Sequence, residues 1–145
     1  MNWSNCLIVT PDGRLHLELH RQELFGSVEL TAYESALNSN EIGILRSILD
    51  DAGVSTLHSF RPPEIPMDVD DWQVFTAEIV RGSQVQQVGY LAWHGNGPNN
   101  PEADKEAWRD AHGKLQRLVD WSHEIKSRKA LNWKKVRDPK TWCGQ

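Results

Sequence analysis

The sequence has 145 residues, a net charge of −4, 39% hydrophobic residues and 25% charged residues. A chain of this length and composition is most simply one soluble globular domain. No apolar run approaches the ~18–20 residues that a membrane-spanning helix needs, and residues 1–5 lack the basic and apolar regions of a signal peptide. We therefore expect either a cytoplasmic protein or the trimmed mature form of an exported or periplasmic one.

Three strands are predicted in the first part of the chain. Residues 6–10 are apolar, and the following Pro11-Asp12-Gly13 is typical of a turn, because proline presets φ and glycine tolerates positive φ. Residues 14–24 and 27–37 alternate between apolar and polar side chains, so together the three runs predict an antiparallel meander. In the second strand one face carries Leu15, Leu17 and Leu19, and the other carries His16, Glu18 and His20.

A helix is predicted next. Asn38 and Glu41 have the spacing of a capping box, which marks a helix N-terminus. Apolar residues then recur every three or four positions up to Gly53, the predicted terminator. Residues 58–71 contain three prolines and several aspartates, which predicts a surface loop and no domain boundary.

A second hairpin and a long helix complete the pattern. Residues 72–80 and 85–93 predict two strands joined by a turn at 81–84, with the face of Phe75 towards the core. A flexible loop at 94–101 leads to the only long run with a helical period, residues 105–131. Its predicted buried stripe consists of Trp108, Ala111, Leu115, Leu118, Val119, Ser122 and Ile125. Trp121 lies at the edge of this stripe, where its ring can be buried and its N–H hydrated.

The predicted order is therefore β-β-β-α-β-β-α. This order is typical of an α+β fold in which a mostly antiparallel, five-stranded sheet carries two helices on one face. We assign residues 1–131 to a single domain and residues 132–145 to a basic, tryptophan-containing C-terminal tail.

Charge is unevenly distributed along the chain. Residues 1–104 hold 5 basic and 15 acidic side chains, whereas residues 105–145 hold 11 basic and 5 acidic ones. Aromatic anchors and opposite charges are what protein interfaces use, so the end of the chain is the predicted partner-binding region. Its candidate residues are Trp121, Lys126, Arg128, Lys129, Trp133, Lys134, Lys135 and Arg137.

The same residues leave alternatives open. Lysine and arginine neutralise phosphates and indoles stack on bases, so the tail also suits single-stranded nucleic acid or an anionic membrane surface. A tail that folds back on the acidic part of its own chain, or is merely solvated, needs no partner. The acidic overall balance argues against a dedicated nucleic-acid protein.

His16, Glu18 and His20 form a cluster with the chemistry of zinc ligands. Alternate strand residues lie ~6.8 Å apart, so the two histidines are ~13 Å apart and cannot share an ion. A neighbouring pair would need a third ligand from another strand to bind zinc, as a metal-dependent hydrolase would require. The alternative is the polar face of a half-buried sheet.

Cys6 and Cys143 lie almost at opposite ends of the chain. Domain termini often lie close together, so a disulfide between them is possible, as are two free thiols. No motif of a nucleotide, redox, metal or hydrolytic site occurs. We accordingly assign no catalytic residue, no metal ligand and no cofactor.

Thr10-Pro11-Asp12-Gly13 before a strand, followed by the Leu-rich helix of residues 41–49, resembles small exported bacterial domains of unknown function. The resemblance covers residues 6–125. It implies export and a late helix that closes the sheet, and it transfers no activity and no functional residue.

The sequence thus predicts a protein-binding or self-associating module without catalytic function. Self-association through exposed tryptophan and opposite charges is its simplest version. Nucleic-acid or anionic-surface binding and metal-dependent hydrolysis are the alternatives.

Overall fold

The computed structural model describes residues 2–22, 26–57, 72–93, 102–127 and 131–143, with the backbone alone described for 2–3, 72–74, 90–93 and 102–111. The predicted loops at 58–71 and 94–101 lie outside these ranges. The elements are β1 (Asn2–Val9), β2 (Arg14–Gln22), β3 (Val28–Ala36), α1 (Ser39–Leu49), α2 (Ala52–Ser55), β4 (Trp72–Arg81), β5 (Gln84–Trp93), α3 (Glu102–Ser127) and β6 (Lys134–Lys135).

The predicted α+β class and the general order of strands and helices are confirmed. The short helix α2 and the strand β6 were not predicted. Among the described residues the strands form two antiparallel sheets in place of one five-stranded sheet, namely β1-β2-β3-β6 and β4-β5.

The chain divides into two compact units, which explains the two sheets. Unit 1 comprises Met1–Leu45 and Trp121–Gln145, and unit 2 comprises Arg46–Asp120. The β4–β5 hairpin belongs to unit 2 and therefore does not extend the sheet of unit 1. The assignment of residues 1–131 to a single domain stays a prediction.

The turn between β1 and β2 forms as predicted. Gly13 has a φ of +86° and donates its N–H to the carbonyl of Thr10 at 2.8 Å. A positive φ is accessible to glycine at little cost. The Gly13 carbonyl in turn accepts the N–H of Leu37 at 2.8 Å, so the turn also fixes the end of β3.

The capping box at the start of α1 is confirmed. The N–H of Asn38 donates to Glu41 Oε2, and the N–H of Glu41 donates to Asn38 Oδ1, both at 2.9 Å. The prediction that Gly53 ends this helix is wrong, because α1 ends at Leu49 and Gly53 lies within α2. Asp51 caps α2 by accepting the Gly53 N–H at 2.9 Å, which starts a new helix in place of a continued one.

The predicted core faces are largely confirmed. The buried apolar residues of unit 1 are Leu15, Leu17, Ala32, Leu37, Leu45, Trp121 and Ile125. Those of unit 2 are Ile48, Val54, Ile79, Val88, Leu115, Leu118 and Val119. In β4 the side chain of Ile79 is buried while Glu78 and Val80 are exposed, which places the Phe75 face inward. Trp108 and Ala111 of the predicted stripe lie outside the residues whose side chains are described.

Two side chains of the β4–β5 hairpin satisfy backbone carbonyls at helix ends within unit 2. Arg81 donates to the Leu49 carbonyl at 2.5 Å and to Gln86 Oε1 at 2.6 Å. Gln86 Nε2 donates to the carbonyls of Val54 at 2.8 Å and Leu57 at 3.1 Å. The last carbonyls of a helix lack intrahelical partners. These bonds therefore satisfy carbonyl groups at, or just after, the C-terminal ends of α1 and α2.

No helix in the described ranges is both long enough and apolar enough to cross a membrane.

Candidate binding surface around Trp142

The C-terminal segment, residues 131–143, is attached to the sheet of unit 1. In β6, Lys134 pairs with Glu34 and Lys135 pairs with Tyr33 of β3. The N–H of Val136 donates to the Ala32 carbonyl at 2.9 Å, and Ser35 Oγ donates to the Leu131 carbonyl. In the absence of a partner, the tail is expected either to fold back on its own chain or to be solvated. Residues 131–143 fold back on their own chain.

This segment covers the face of β2 that carries His16, Glu18 and His20. Strand alternation places these polar residues opposite the leucine face, and the sequence therefore suggests a solvated face. In the structure His16 is only 5% exposed and Glu18 is 0% exposed. The interpretation as the polar face of a half-buried sheet is therefore wrong at these two residues, because the C-terminal segment shields them from water.

Glu18 is the centre of a closed hydrogen-bond network. Its Oε1 contacts His16 Nε2 at 3.1 Å and accepts the backbone N–H of Trp142. Its Oε2 contacts His20 Nε2 at 2.8 Å and accepts the hydroxyl of Thr141 at 3.0 Å. Both carboxylate oxygens are therefore saturated, which a buried charge requires.

These contacts stabilise the ionised form of Glu18. Burial by itself would raise the pKa of the carboxyl, but the hydrogen bonds from the Trp142 N–H, His20, His16 and Thr141 outweigh it. As a result, the pKa of Glu18 falls from 4.5 to about 2. Two of the four partners come from the C-terminal segment, so the position of that segment and the charge of Glu18 depend on each other.

The indole of Trp142 stacks on the imidazole of His16. The ring centroids are 4.2 Å apart and the planes differ by 12°. Trp142 nevertheless remains 52% exposed. An indole packed on a buried imidazole through one face, and exposed by about half of its surface, presents its remaining area to solvent.

A disulfide fixes the next residue. Cys6 and Cys143 are bonded, with their Cα atoms 6.3 Å apart. Cys6 lies directly opposite Glu18 in the β1–β2 ladder. The covalent attachment and the buried carboxylate are therefore on adjacent strands, and both act on residues 141–143.

The C-terminal segment that carries this exposed tryptophan also carries exposed cations. Lys134, Lys135, Arg137 and Lys140 are all exposed. The pairings place His16, Glu34 and Lys134 in one row across β2, β3 and β6, and Glu34 Oε1 lies 3.7 Å from His16 Nδ1. We define the Trp142 surface as Trp142 together with Lys134, Arg137 and Lys140. Lys135 is left out because it pairs with Tyr33, which lies opposite Leu17, so it belongs to the other face of the sheet.

The other predicted partner-binding residues lie elsewhere. Trp121 is buried at 9% exposure, and Trp133 is half-buried. Lys126 donates to Asn5 Oδ1 at 2.8 Å, and partial burial lowers the pKa of its ammonium group. Arg128 and Lys129 lie outside the described residues.

No protein-family model, curated protein or solved structure matches this chain. Its resemblance to exported bacterial domains therefore stays a prediction.

The candidate metal cluster lacks a third ligand in the part of the chain that the structure describes. No three His, Cys, Asp or Glu side chains there are grouped so that they could hold a metal ion. Glu18 instead uses both oxygens in hydrogen bonds to the protein. Metal-dependent hydrolysis consequently has no supporting geometry among these residues.

Sequence reasoning did not single out Thr141, and it treated Trp142 only as one of the tryptophans of the basic tail. The available signal was the pair Trp142-Cys143, because an aromatic residue beside a bridged cysteine is held in a fixed position. The burial of Glu18 has no local signal: its two histidine partners are two residues away, but Thr141 and Trp142 lie more than 120 residues away.

Proposed function

We propose that this chain is a protein-binding module that recognises an acidic partner through the Trp142 surface. The supporting observation is that Trp142 is 52% exposed although its residue is held by a ring stack and a backbone hydrogen bond, and its neighbour by a disulfide. A solvated tail would leave this side chain free, whereas here it is held in place with about half of its surface exposed.

Such an arrangement suits an interface anchor. Tryptophan is enriched among the few residues that carry most of the binding free energy at protein interfaces. An anchor that is already immobilised loses little conformational entropy on binding, which raises affinity. The backbone of Trp142 is fixed by Glu18 and its ring by His16. The conformational entropy of both the backbone and the side chain is therefore already reduced before the partner binds.

The charge around this anchor indicates the class of partner. The three exposed cations of the surface attract an acidic surface and accelerate its encounter with the module. Residues 1–104 of the chain carry 15 acidic against 5 basic side chains, so a second copy is one such acidic partner. Association of this kind weakens as salt is added.

Single-stranded nucleic acid is a second candidate. The observation that favours it is the exposed indole among lysines and an arginine, since successive bases stack on aromatic rings while cations follow the phosphates. It requires the same residues, so the two functions must be separated by ligand and not by mutation.

Two probes of equal charge separate them: a decamer of glutamate with blocked termini, and an eleven-nucleotide oligothymidine, which has ten phosphodiesters and no terminal phosphate. Binding to the purified, oxidised chain is measured by fluorescence anisotropy of the labelled probe at low and at physiological salt. We expect the peptide to bind more tightly than the oligonucleotide. Tighter binding of the oligonucleotide would establish the second candidate, and binding of neither probe would overturn both.

Variants assign the binding to the surface. Trp142→Ala is expected to weaken peptide binding about tenfold, as loss of a moderate anchor does. Lys134→Glu with Lys140→Glu should weaken it further. The matched control is Arg46→Glu with Arg117→Glu, an equal charge reversal at two exposed residues of unit 2. Equal losses from both pairs would mean non-specific attraction and would contradict the proposal.

A further inference from the structure

Strand β1 forms one edge of the four-stranded sheet. The order of that sheet is β1-β2-β3-β6, so β2 pairs with β1 on one side only. In the described part of the chain no strand pairs with the other side of β1. An edge strand presents a row of unpaired backbone N–H and C=O groups to whatever lies beside it.

The ladder pattern identifies which groups point outward. Hydrogen-bonded and non-hydrogen-bonded pairs alternate along an antiparallel ladder. The Thr10 N–H donates to the Arg14 carbonyl at 3.0 Å, so the even-numbered residues of β1 bond to β2. The outward backbone groups therefore belong to Trp3, Asn5, Leu7 and Val9.

The next ladder of the sheet confirms this assignment. The Leu37 N–H donates to the Gly13 carbonyl, which makes the odd-numbered residues of β2 bond to β3. The even-numbered residues of β2 are then left to bond to β1, as the first ladder requires. Both observations give the same set of outward groups on β1.

The residues of β1 themselves lack the features by which edge strands are kept from pairing with other chains. Natural sheets protect their edges with charged residues, above all lysine, with proline, or with very short strands. The sequence of β1, Asn-Trp-Ser-Asn-Cys-Leu-Ile-Val, contains no charged residue and no proline over 8 residues. The opposite edge, β6, is 2 residues long and both are lysine.

We propose that β1 is the interface with a second copy of this chain, whose β1 pairs with it antiparallel about a twofold axis. The same edge turned by 180° offers donors where the first offers acceptors, so it is self-complementary. The strand itself contains no charged residue, so its own side chains do not repel a second copy, although Lys126 from outside the strand donates to Asn5 Oδ1. The two four-stranded sheets then form one continuous sheet.

The register follows from the outward residues. Directly opposed residues share a face of the sheet, and each outward residue must oppose another outward residue for its bonds to form. Centring the twofold axis on Cys6 places Asn5 opposite Leu7 and Trp3 opposite Val9 of the second copy. This register uses all four outward residues of each copy, whereas centring on Asn5 leaves Val9 without an outward partner in β1.

The interface is formed by other residues than the Trp142 surface, and the two modes of association are distinguished by salt. Association through the Trp142 surface should decrease with salt and be weakened about tenfold in Trp142→Ala. Association through β1 rests on uncharged backbone bonds, so it should persist at high salt and in Trp142→Ala. A result that contradicts the β1 dimer therefore does not contradict binding through the Trp142 surface, and the reverse also holds.

The decisive measurement is amide hydrogen exchange of the full-length, oxidised chain, followed by NMR at low and high protein concentration, with light scattering for the mass. We expect a dimer at high concentration, in which the amides of Asn5, Leu7 and Val9 exchange about tenfold more slowly than in the monomer. The amides of Ser4, Cys6 and Ile8 bond to β2 in either state and serve as the internal control. A monomer at every concentration, or slowing that is equal for both sets, would overturn the proposal.

A proline variant gives a second, independent test. Asn5→Pro removes one outward N–H, together with the side-chain acceptor of Lys126, without removing a backbone bond to β2. Edge strands tolerate proline at such a position. It should raise the dissociation constant of the dimer about tenfold while circular dichroism remains unchanged. Ser27→Pro, at an exposed residue outside the strands, is the matched control and should leave the dimer intact. A dimer that survives Asn5→Pro with wild-type affinity would also contradict the inference.

Discussion

Trp142 donates its backbone N–H to Glu18, a carboxylate without solvent exposure that lies 124 residues earlier in the sequence. Neither group is stable where it lies without the other. A buried, unpaired carboxylate is strongly unfavourable, and a detached C-terminal segment would leave Glu18 with only its two histidine contacts. The end of the chain and the centre of β2 therefore become ordered together.

The first prediction concerns acid stability. The pKa of Glu18 is lowered in the folded state, so the ionised form stabilises the fold above the unfolded pKa of 4.5 and this contribution is lost as pH falls towards about 2. A fall in pKa of this size, from 4.5 to about 2, corresponds to roughly 3 kcal/mol. Urea unfolding between pH 6 and pH 2 should show this loss.

Glu18→Gln tests the assignment of that loss. The amide cannot accept all four hydrogen bonds, because its NH₂ group faces donors, so we expect about 2–4 kcal/mol lower stability at pH 7. The remaining pH dependence between 5 and 2 should be flatter than in the wild type. Glu29→Gln, at an exposed residue of the next strand, is the control. A Glu18→Gln protein with the wild-type acid profile would contradict the assignment.

The second prediction concerns the disulfide. Cys6 and Cys143 are 137 residues apart in sequence, and closing so long a loop stabilises the fold by about 4–5 kcal/mol in the chain-entropy model. Reduction by a dithiol, or Cys6→Ser with Cys143→Ser, should lower the free energy of unfolding by up to this amount. Urea unfolding with and without reductant measures it.

Glu18→Gln and loss of the disulfide should not be additive. Once the disulfide is absent, the C-terminal segment detaches more readily. Substitution of Glu18 should then lower the free energy of unfolding by a smaller amount. We expect a coupling free energy of roughly 0.5–3 kcal/mol in the double-mutant cycle. If the two losses of stability add strictly, the hydrogen bonds of Glu18 and the disulfide stabilise separate regions. That result would contradict the structure, in which both hold residues 141–143.

How far the sequence predicts this fold depends on the range of the interactions. The capping box of Asn38 and Glu41, the turn at Gly13 and the buried stripe of α3 are local patterns, and each was predicted from spacing alone. Strand β6 was missed because two lysines carry no strand period. The burial of His16 and Glu18 was missed because alternation assigns polar residues to solvent, and only distant partners reverse that preference.

The third prediction concerns Gly13. A Cβ at this position would lie 2.6 Å from Ile42 Cδ1 and 3.1 Å from the Leu37 carbonyl oxygen, and its φ of +86° is unfavourable for any other residue. Gly13→Ala should therefore destabilise the protein by about 2–4 kcal/mol, combining backbone strain with overpacking. Thermal unfolding followed by circular dichroism measures the change.

Gly82→Ala isolates the contribution of backbone strain. Gly82 has a φ of +61°, but no atom lies within 4 Å of the point that a Cβ would occupy. The substitution should cost only about 1 kcal/mol, the usual cost of a left-handed conformation. If the two alanine variants are equally destabilised, contact with Ile42 contributes nothing and the packing argument fails.

The fourth prediction concerns the side-chain bonds that close the ends of α1 and α2. Gln86→Ala removes the donor to the Val54 and Leu57 carbonyls and the acceptor of Arg81. Partly buried groups that lose their partners cost about 1–3 kcal/mol in total, with water replacing some of the bonds. Gln87, the next residue along β5, is exposed on the opposite face, so Gln87→Ala should change the free energy of unfolding by less than about 0.5 kcal/mol. Urea unfolding of the two variants side by side measures the difference, and equal effects would show that the Gln86 bonds do not stabilise unit 2.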